Sequence, residues 1–535
     1  MIERDVLRAK FWAASDLRRK RPARVKAIRM DCRTNAGAGR LALTMLASFL
    51  VARLAFALSF GLGVDESYTI GISRRLSLSY FDHPPLHLWI AHFAALGAGE
   101  NMAARAPFVA LFFGTGWIVY RLTSWLFDSD AALIALFALN VTPFFFASAG
   151  GWILPDGPLL FGLALAAFAA ARLFFAEPDD DASPWGLWLI VGVGLGLAGL
   201  SKYSAVLTAG GLAAFVVVSP NQRRWLQHPA PYIAAIVALG MITPVILWNV
   251  QHGWASFAFQ GGRAAPQGRL HPAQLAIMVL GQIAFLSPWI FAPLVAGLAS
   301  AISQRSDERR LFLLCLSLPP IVFFSLTPLW GGRGQPHWTM PGWFFAFPLM
   351  GAWIRQLRVS ASALRKSALV SSLLLAAAVG SALLQASTGW PLAGLTAGSR
   401  IADPTLEAFA WSDLAKAPIF DPAPSFVVAT KWSEAGKIAL ALGPRFPVFV
   451  LSTDPRGWAF LDDSASYLGR SGVIVTPVAD LSAALDVAAP YFTRLGPPRF
   501  QTLARHGAAA VELALIPAAG LTRSLPVPYP GSTDR

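Results

Sequence analysis

Apolar runs of roughly twenty residues recur along this chain, separated by short polar links. A helix of that length crosses the hydrocarbon core of a bilayer, so the pattern predicts an α-helical polytopic membrane protein. About eleven transmembrane helices are expected, near residues 41–62, 108–127, 131–149, 158–176, 185–200, 204–219, 231–250, 273–299, 311–329, 339–353 and 367–384. Pro85–Leu96 is apolar but short, which suits an interfacial or re-entrant helix. Arginines gather in alternate links, at Arg223-Arg224, at Arg305, Arg309 and Arg310, and at Arg355 and Arg358. The positive-inside rule then places the N-terminus in the cytoplasm and the C-terminus outside.

Beyond about Gln385 the pattern changes. Ser425–Thr430, Val448–Thr453, Gly472–Pro477 and Val511–Pro517 read as strands, and Ser433–Leu442 reads as a helix. That alternation predicts a small C-terminal α/β extracytoplasmic domain. The expected organisation is a basic cytoplasmic tail at 1–40, a membrane domain at 41–384 and the α/β domain at 385–535.

Composition agrees with this. The chain is 55% hydrophobic and 13% charged, against about a quarter charged in soluble domains. The net charge of +14 invites a nucleic-acid reading, but residues 1–40 carry twelve Lys/Arg against four acids. A basic tail before a first span is an orientation signal drawn to anionic lipid, so no nucleic-acid partner is expected. Cys32 in the tail and Cys315 in an apolar run do not suggest a disulfide. The long basic region and the full-length run after it read as a span and not as a cleaved signal peptide.

The chemistry concentrates in Gly63–Pro85, a polar stretch among apolar runs. Ionisable residues collect at span ends, nearly all on the predicted outer side, where loops are normally poor in Arg and Lys. That enrichment points to an anionic ligand, with phosphate the natural candidate. Asp65 and Glu66 are either a general base or acceptor-orienting pair, or helix-end charges in headgroup water. Asp82-His83 precedes the rigid Pro84-Pro85 and suits a phosphate or metal contact, or a surface turn. Asp82 with His252 would supply only part of a ligand set for a divalent metal ion. Arg74 and Arg75 either clamp a phosphate or snorkel from an interfacial helix. Asp156 orients a substrate hydroxyl or sits in an ordinary turn, and Lys202 is a phosphate ligand or a span terminator. No nucleotide cofactor is expected, because the sequence has no phosphate-loop motif and no dinucleotide fingerprint placed before a helix. The Gly-rich run in the fifth span reads as a close-packing face.

Several short motifs occur in a telling order: Asp65-Glu66-Ser67-Tyr68, His83-Pro84-Pro85-Leu86, Arg105-Ala106-Pro107, Pro155-Asp156-Gly157-Pro158 and Leu200-Ser201-Lys202-Tyr203. In that order they resemble the GT-C fold glycosyltransferases that use polyprenyl-phosphate sugars, related to protein O-mannosyltransferases and to the aminoarabinose transferases of lipid A. The resemblance runs from about Leu41 to the mid-300s and includes Trp248-Asn249, His252-Gly253-Trp254 and Pro336-His337-Trp338. It implies transfer, with inversion, of a sugar from a polyprenyl-phosphate donor to an acceptor hydroxyl on a lipid, polysaccharide or protein, at the periplasmic face of a bacterial inner membrane. Asp65 matches the family's first-loop acid, taken as base or acceptor-orienting group. Asp82-His83 matches an acid–base pair that in relatives contacts metal or lipid phosphate. Histidine stands where a permanent cation is expected, and Arg263 or Arg269 could supply the missing charge. The competing readings are a transporter or flippase for a lipid-linked or anionic solute, which would show midplane charges and inverted repeats, and a bare anchor for the C-terminal domain.

Overall fold

The computed structural model describes residues 36–176, 183–263, 265, 270–330, 334–390 and 403–529. Most of the basic tail, Cys32, the acidic link near 177–182, Arg269 and Arg333 lie outside the described residues.

Helices fill the first two thirds of the chain: α1 (Ala36–Ser59), α2 (Val64–Ser73), α3 (Leu86–Ala98), α4 (Ala106–Leu126), α5 (Ser129–Val141), α6 (Asp156–Phe174), α7 (Pro184–Gly199) and α8 (Ala205–Val218). After them come α9 (Ala230–Gln251), α10 (Ala255–Gly262), α11 (Pro272–Leu286), α12 (Pro288–Ser303), α13 (Glu308–Leu326), α14 (Met340–Gln356) and α15 (Ala361–Thr388). Each expected apolar run is helical. Among the described residues, six helices are long and apolar enough to cross a membrane, or up to eight if two bent pairs each count as one span. The span near 131–149 is broken by 82° between α5 and Phe144–Gly151, and the span near 273–299 by 107° between α11 and α12. Proline explains both breaks, since Pro143 and Pro288 disfavour helical backbone in the residue before them. Ser287 is driven to φ 68° at the sharper bend.

The first break exposes carbonyls inside the apolar bundle. Arg53, buried in α1, donates to Phe146 O at 3.1 Å and Phe145 O at 3.4 Å, and its guanidinium carbon lies 4.5 Å from the Phe112 ring centre. The expectation that ionisable groups keep to span ends thus misses one residue, whose charge is spent on backbone inside the bundle. The glycines of α7 form the expected packing face: a Cβ at Gly194 would stand 2.7 Å from Ala166 N and Gly162 O, so α6 and α7 meet backbone to backbone.

The C-terminal region is a six-stranded sheet. Its strands are β1 (Val427–Ala429), β2 (Val448–Val450), β3 (Gly472–Pro477), β4 (Phe492–Leu495), β5 (Arg499–Arg505) and β6 (Ala508–Leu521), in the order β2-β1-β3-β6-β4 with β5 also on β6. β1 runs parallel to β2 and β3, with Val427 opposite Val448 and Val473; β6 is antiparallel to β3, with Ile516 opposite Ile474. All four expected strands are present, and β4 and β5 are additional. Alternation splits the sheet's side chains between two cores. Phe426, Val428, Ile474 and Ile516 fill one face. Val427, Ala429, Val473 and Val475 pack with Ile438 and Ala439 of α16 (Trp432–Leu442), and that core extends to Tyr68, Ile72 and Leu88 of the membrane half.

Gly63–Pro85 is helix in its first half and loop over residues 74–85. Val64–Ser73 is a mostly buried helix. Glu66 in its first turn accepts from Gly63 N at 2.8 Å, and acids there suit the positive helix end. α16 lies directly against it: a Cβ at Gly436 would stand 2.6 Å from Tyr68 N. Lys437, also on α16, donates to Leu62 O at 2.6 Å and Phe409 O at 3.2 Å.

Candidate active site

One end of the bundle, where α1 stops and α2 begins, gathers most of the candidate residues. A buried ion pair sets the geometry. Glu66 receives the Arg105 Nε at 2.7 Å, a further bond from Arg105 Nη2, and Ile153 N at 3.0 Å. Arg105 in turn donates to Ala57 O at 2.7 Å and Gly61 O at 2.9 Å. Every strong acceptor site on Glu66 is thus occupied, and the residue ties α2 to α1, α4 and the chain before α6. Asp65, the residue before it on the helix, remains exposed. The protein around it strips much of its hydration and pushes its carboxyl above the ordinary range; Arg456 opposes this most strongly, while Asp82 and Glu66 add to it.

A second group closes beside it. Leu86 N donates to Leu200 O at 2.9 Å, which brings the Asp82–Pro85 turn to the end of α7 and so to Lys202. Lys202 Nζ is held by both Asp156 oxygens, at 2.9 and 3.1 Å. Asp82 is buried; its Oδ1 accepts from Tyr68 OH at 2.9 Å, and its backbone carbonyl accepts from Gln260. Burial raises the Asp82 carboxyl, against the pull of Arg456 and the Tyr68 bond. His83 is pushed down to about 3 by burial, reinforced by Lys202 and Arg263, so it is neutral at physiological pH. His337 is held down to about 4, chiefly by burial.

Arg456 completes the cluster, and the sequence reading did not include it. It lies after β2 at φ 49°, a strained backbone for a residue other than glycine. Its guanidinium carbon sits 3.6 Å from the centre of the Trp432 ring, and Nη1 is 3.9 Å from Asp82 Oδ2. Tyr529 OH accepts from Arg456 N at 2.7 Å, and Gly457 N donates to Tyr68 OH at 3.0 Å. A signal for it existed: Trp432 and Arg456 follow two parallel strands at their carboxyl ends, where open α/β sheets place ligands.

The remaining candidates are distributed as follows. Arg263 ends α10 with its guanidinium 4.6 Å from the Trp338 ring centre, within electrostatic reach of Asp82 and Asp65. Arg74 forks onto Glu100 at 2.7 and 2.6 Å and reaches Ala439 O; Arg75 pairs with Asp462 and donates to Leu461 O. Both arginines thus fasten α2 to the C-terminal half. His252 stacks on Trp248 with ring centres 4.0 Å apart, and its Nδ1 meets Trp248 O at 2.7 Å. Among the described residues, no group of three or more His, Cys, Asp or Glu is arranged to hold a metal ion. Asp82 faces the Arg456 guanidinium, 3.9 Å from Nη1, while His252 is engaged by Trp248.

Residues 82–248 match the family described as dolichyl-phosphate-mannose-protein mannosyltransferase. The lipid A galacturonosyltransferase RgtD of Rhizobium johnstonii is 24% identical over 315 residues, which cover 55% of this chain and 61% of that protein. The lipopolysaccharide core galacturonosyltransferase RgtB of the same organism is 26% identical over 215 residues, covering 38% and 41%. The chain spans less than two thirds of the length of either relative. ArnT from Cupriavidus metallidurans, solved bound to undecaprenyl phosphate, is similar in structure with a TM-score of 0.61 at 16% identity, covering 89% of this chain and 98% of that one. The chain therefore has the ArnT-like GT-C fold, that of a multi-pass membrane protein with a small C-terminal sheet region.

Proposed function

We propose that this protein is an inverting glycosyltransferase of the bacterial inner membrane that takes a sugar from a polyprenyl phosphate. The observation that carries the reading is the exposed carboxyl of Asp65 beside a cationic edge formed by Lys202, Arg263 and Arg456. The similarity to two galacturonosyltransferases and to the mannosyltransferase family supports sugar transfer over the transporter reading. So does the gathering of ionisable groups at one end of the bundle.

In this reading the acceptor hydroxyl oxygen attacks the anomeric carbon as the bond from that carbon to the phosphate oxygen breaks. Asp65 takes the hydroxyl proton, and its raised proton affinity suits it to that task. Arg456, Arg263 and Lys202 stabilise the departing polyprenyl phosphate, supplying the positive charge a divalent ion would otherwise bring. Neutral His83 contributes a hydrogen bond and no charge. Asp82 aims Arg456, and Asp156 aims Lys202. Arg74, Arg75 and Glu66 hold the frame. The sheet region would lie on the periplasmic side with the N-terminus in the cytoplasm, dividing the chain near residues 40 and 384.

The test supplies the purified full chain with radiolabelled undecaprenyl-phosphate galacturonic acid, mannose or aminoarabinose, and with lipid A, polysaccharide or protein acceptors. Transfer abolished by Asp65→Asn supports the assignment. Transfer untouched by that substitution removes Asp65 from the mechanism, and solute accumulation in proteoliposomes without transfer would restore the transporter reading.

A further inference from the structure

A second cationic site lies at the opposite end of the bundle, where α4 stops and α13 begins. Arg309 Nη1 donates to Leu126 O at 3.1 Å and pins those two helix ends together. Beside the joint is a cavity of about 300 Å³ whose lining includes Phe127, Asp128, Arg310, Arg355, Gln356 and Arg358. The lining thus holds three guanidinium groups and one carboxylate, with Asp307 and Asp130 each also within ion-pair distance of one of these arginines. The lining carboxylate is already engaged: Asp128 Oδ1 caps α5 through Ala131 N at 2.7 Å and meets Arg355 Nε at 3.5 Å. Arg355 turns its other side to Asp130 at 3.0 Å.

Arg310 is the telling member. Its side chain is only 7% exposed, with Nε 3.4 Å from Asp307, yet its Nη1 is buried and has no hydrogen-bond partner among the described residues. A buried guanidinium nitrogen left unsatisfied costs free energy, which a bound acceptor would recover. Arg358 stands exposed at the same cavity with φ 51°, a strained conformation outside glycine. Planar guanidinium forks match phosphate oxygens bidentately, and phosphate is the anionic group that membrane phospholipids share. The Phe127 ring, 5.5 Å from the Arg310 guanidinium carbon, adds an apolar wall continuous with the spans.

We infer that this cavity binds a phosphate group, supplied by the headgroup of an anionic phospholipid, at the membrane end remote from Asp65. The inference rests on the fold and not on sugar transfer. Basic recesses between spans are suited to such headgroups, since the acyl chains remain in the bilayer while the phosphate meets arginine.

The test measures binding of fluorescent short-chain phosphatidylglycerol to the full chain in a zwitterionic detergent, with phosphatidylcholine as the control lipid. Arg310→Gln and Arg358→Gln should each weaken phosphatidylglycerol binding about tenfold and leave phosphatidylcholine unchanged. Inorganic phosphate is then added as competitor. Failure to displace the lipid supports the headgroup, whereas displacement at millimolar phosphate assigns the same cavity to the free anion and overturns the lipid source. Equal phosphatidylglycerol affinity in the unsubstituted chain and Arg358→Gln overturns the site. Because Arg358 is exposed, that result stands even if Arg310→Gln fails to fold.

Discussion

Arg456 of the sheet region brings Nη1 to 3.9 Å from the carboxylate of Asp82, a residue more than three hundred positions earlier in the chain. The membrane half and the sheet half thus build one charged centre, and the strongest opposing influence on Asp65 comes from the sheet half.

The first prediction concerns pH. As a base, Asp65 must be ionised, and partial desolvation by the surrounding protein raises its proton affinity, so kcat/KM should fall on acidification at a higher pH than an ordinary carboxylate would give. Arg456 favours the ionised form. Arg456→Gln should therefore move the acid limb further upward as well as lower the rate by about tenfold or more. A pH–rate profile whose acid limb stays in place after the substitution would show that Arg456 does not act on Asp65.

His83 offers a contrasting case. With its proton affinity pushed down to about 3, it carries no charge between pH 5 and pH 8. Replacing it with Gln, a neutral hydrogen-bonding side chain, should leave the shape of the profile unchanged. His83→Ala should cost about one hydrogen bond, roughly five- to tenfold in rate. A limb near the usual histidine range that vanishes in His83→Gln would contradict a neutral ring.

Glu66 and Arg105 should behave as a structural pair. Their side chains are 2% and 1% exposed, so removing one partner strands a buried charge and should destabilise the fold by about 3–5 kcal/mol. Thermal unfolding of Arg105→Met and Glu66→Ala should show this. A double-mutant cycle should give strong coupling, because the second substitution removes the stranded charge. Additive losses would mean that the two residues act separately.

Lys437 links stability to alkaline pH. Burial lowers its pKa to about 8 in the folded chain, against an ordinary lysine value of 10.5. Between those values the unfolded chain binds more protons, so stability contributed at this site rises with pH across that window. The gain is about 3 kcal/mol at its upper bound. Lys437→Met should flatten the rise in unfolding temperature between pH 8 and pH 10, where an unchanged slope would place its origin elsewhere.

Much of the architecture was legible before folding. Run length against bilayer thickness identifies the membrane class, because a buried apolar helix of that length has few other uses. Alternation and turn residues disclosed β1, β2, β3 and β6. β4 and β5 escaped because they lie at the sheet's periphery with mostly exposed side chains, as in Arg499–Arg505, so burial leaves no period-two signature. Span counting failed to foresee the bends at Pro143 and Ser287-Pro288, where a continuous apolar run conceals two directions.

The site divides the same way. Local sequence marked Asp65, Asp82, His83, Asp156 and Lys202, since polar groups stand out against hydrocarbon. Which of these would be spent on structure was not local information. Glu66 is consumed by Arg105, and Arg74 by Glu100, through contacts between helices that sequence distance does not reveal. Arg456 looks like any arginine in a turn until the sheet docks on α2 and its stacking on Trp432 aims it at Asp82. Residue chemistry and periodicity are properties of the chain itself, so the sequence alone determined the membrane class and the polar cluster at the end of α1. Charge pairing depends on distances between elements, so only the tertiary structure decided which charges neutralise one another and which remain to act.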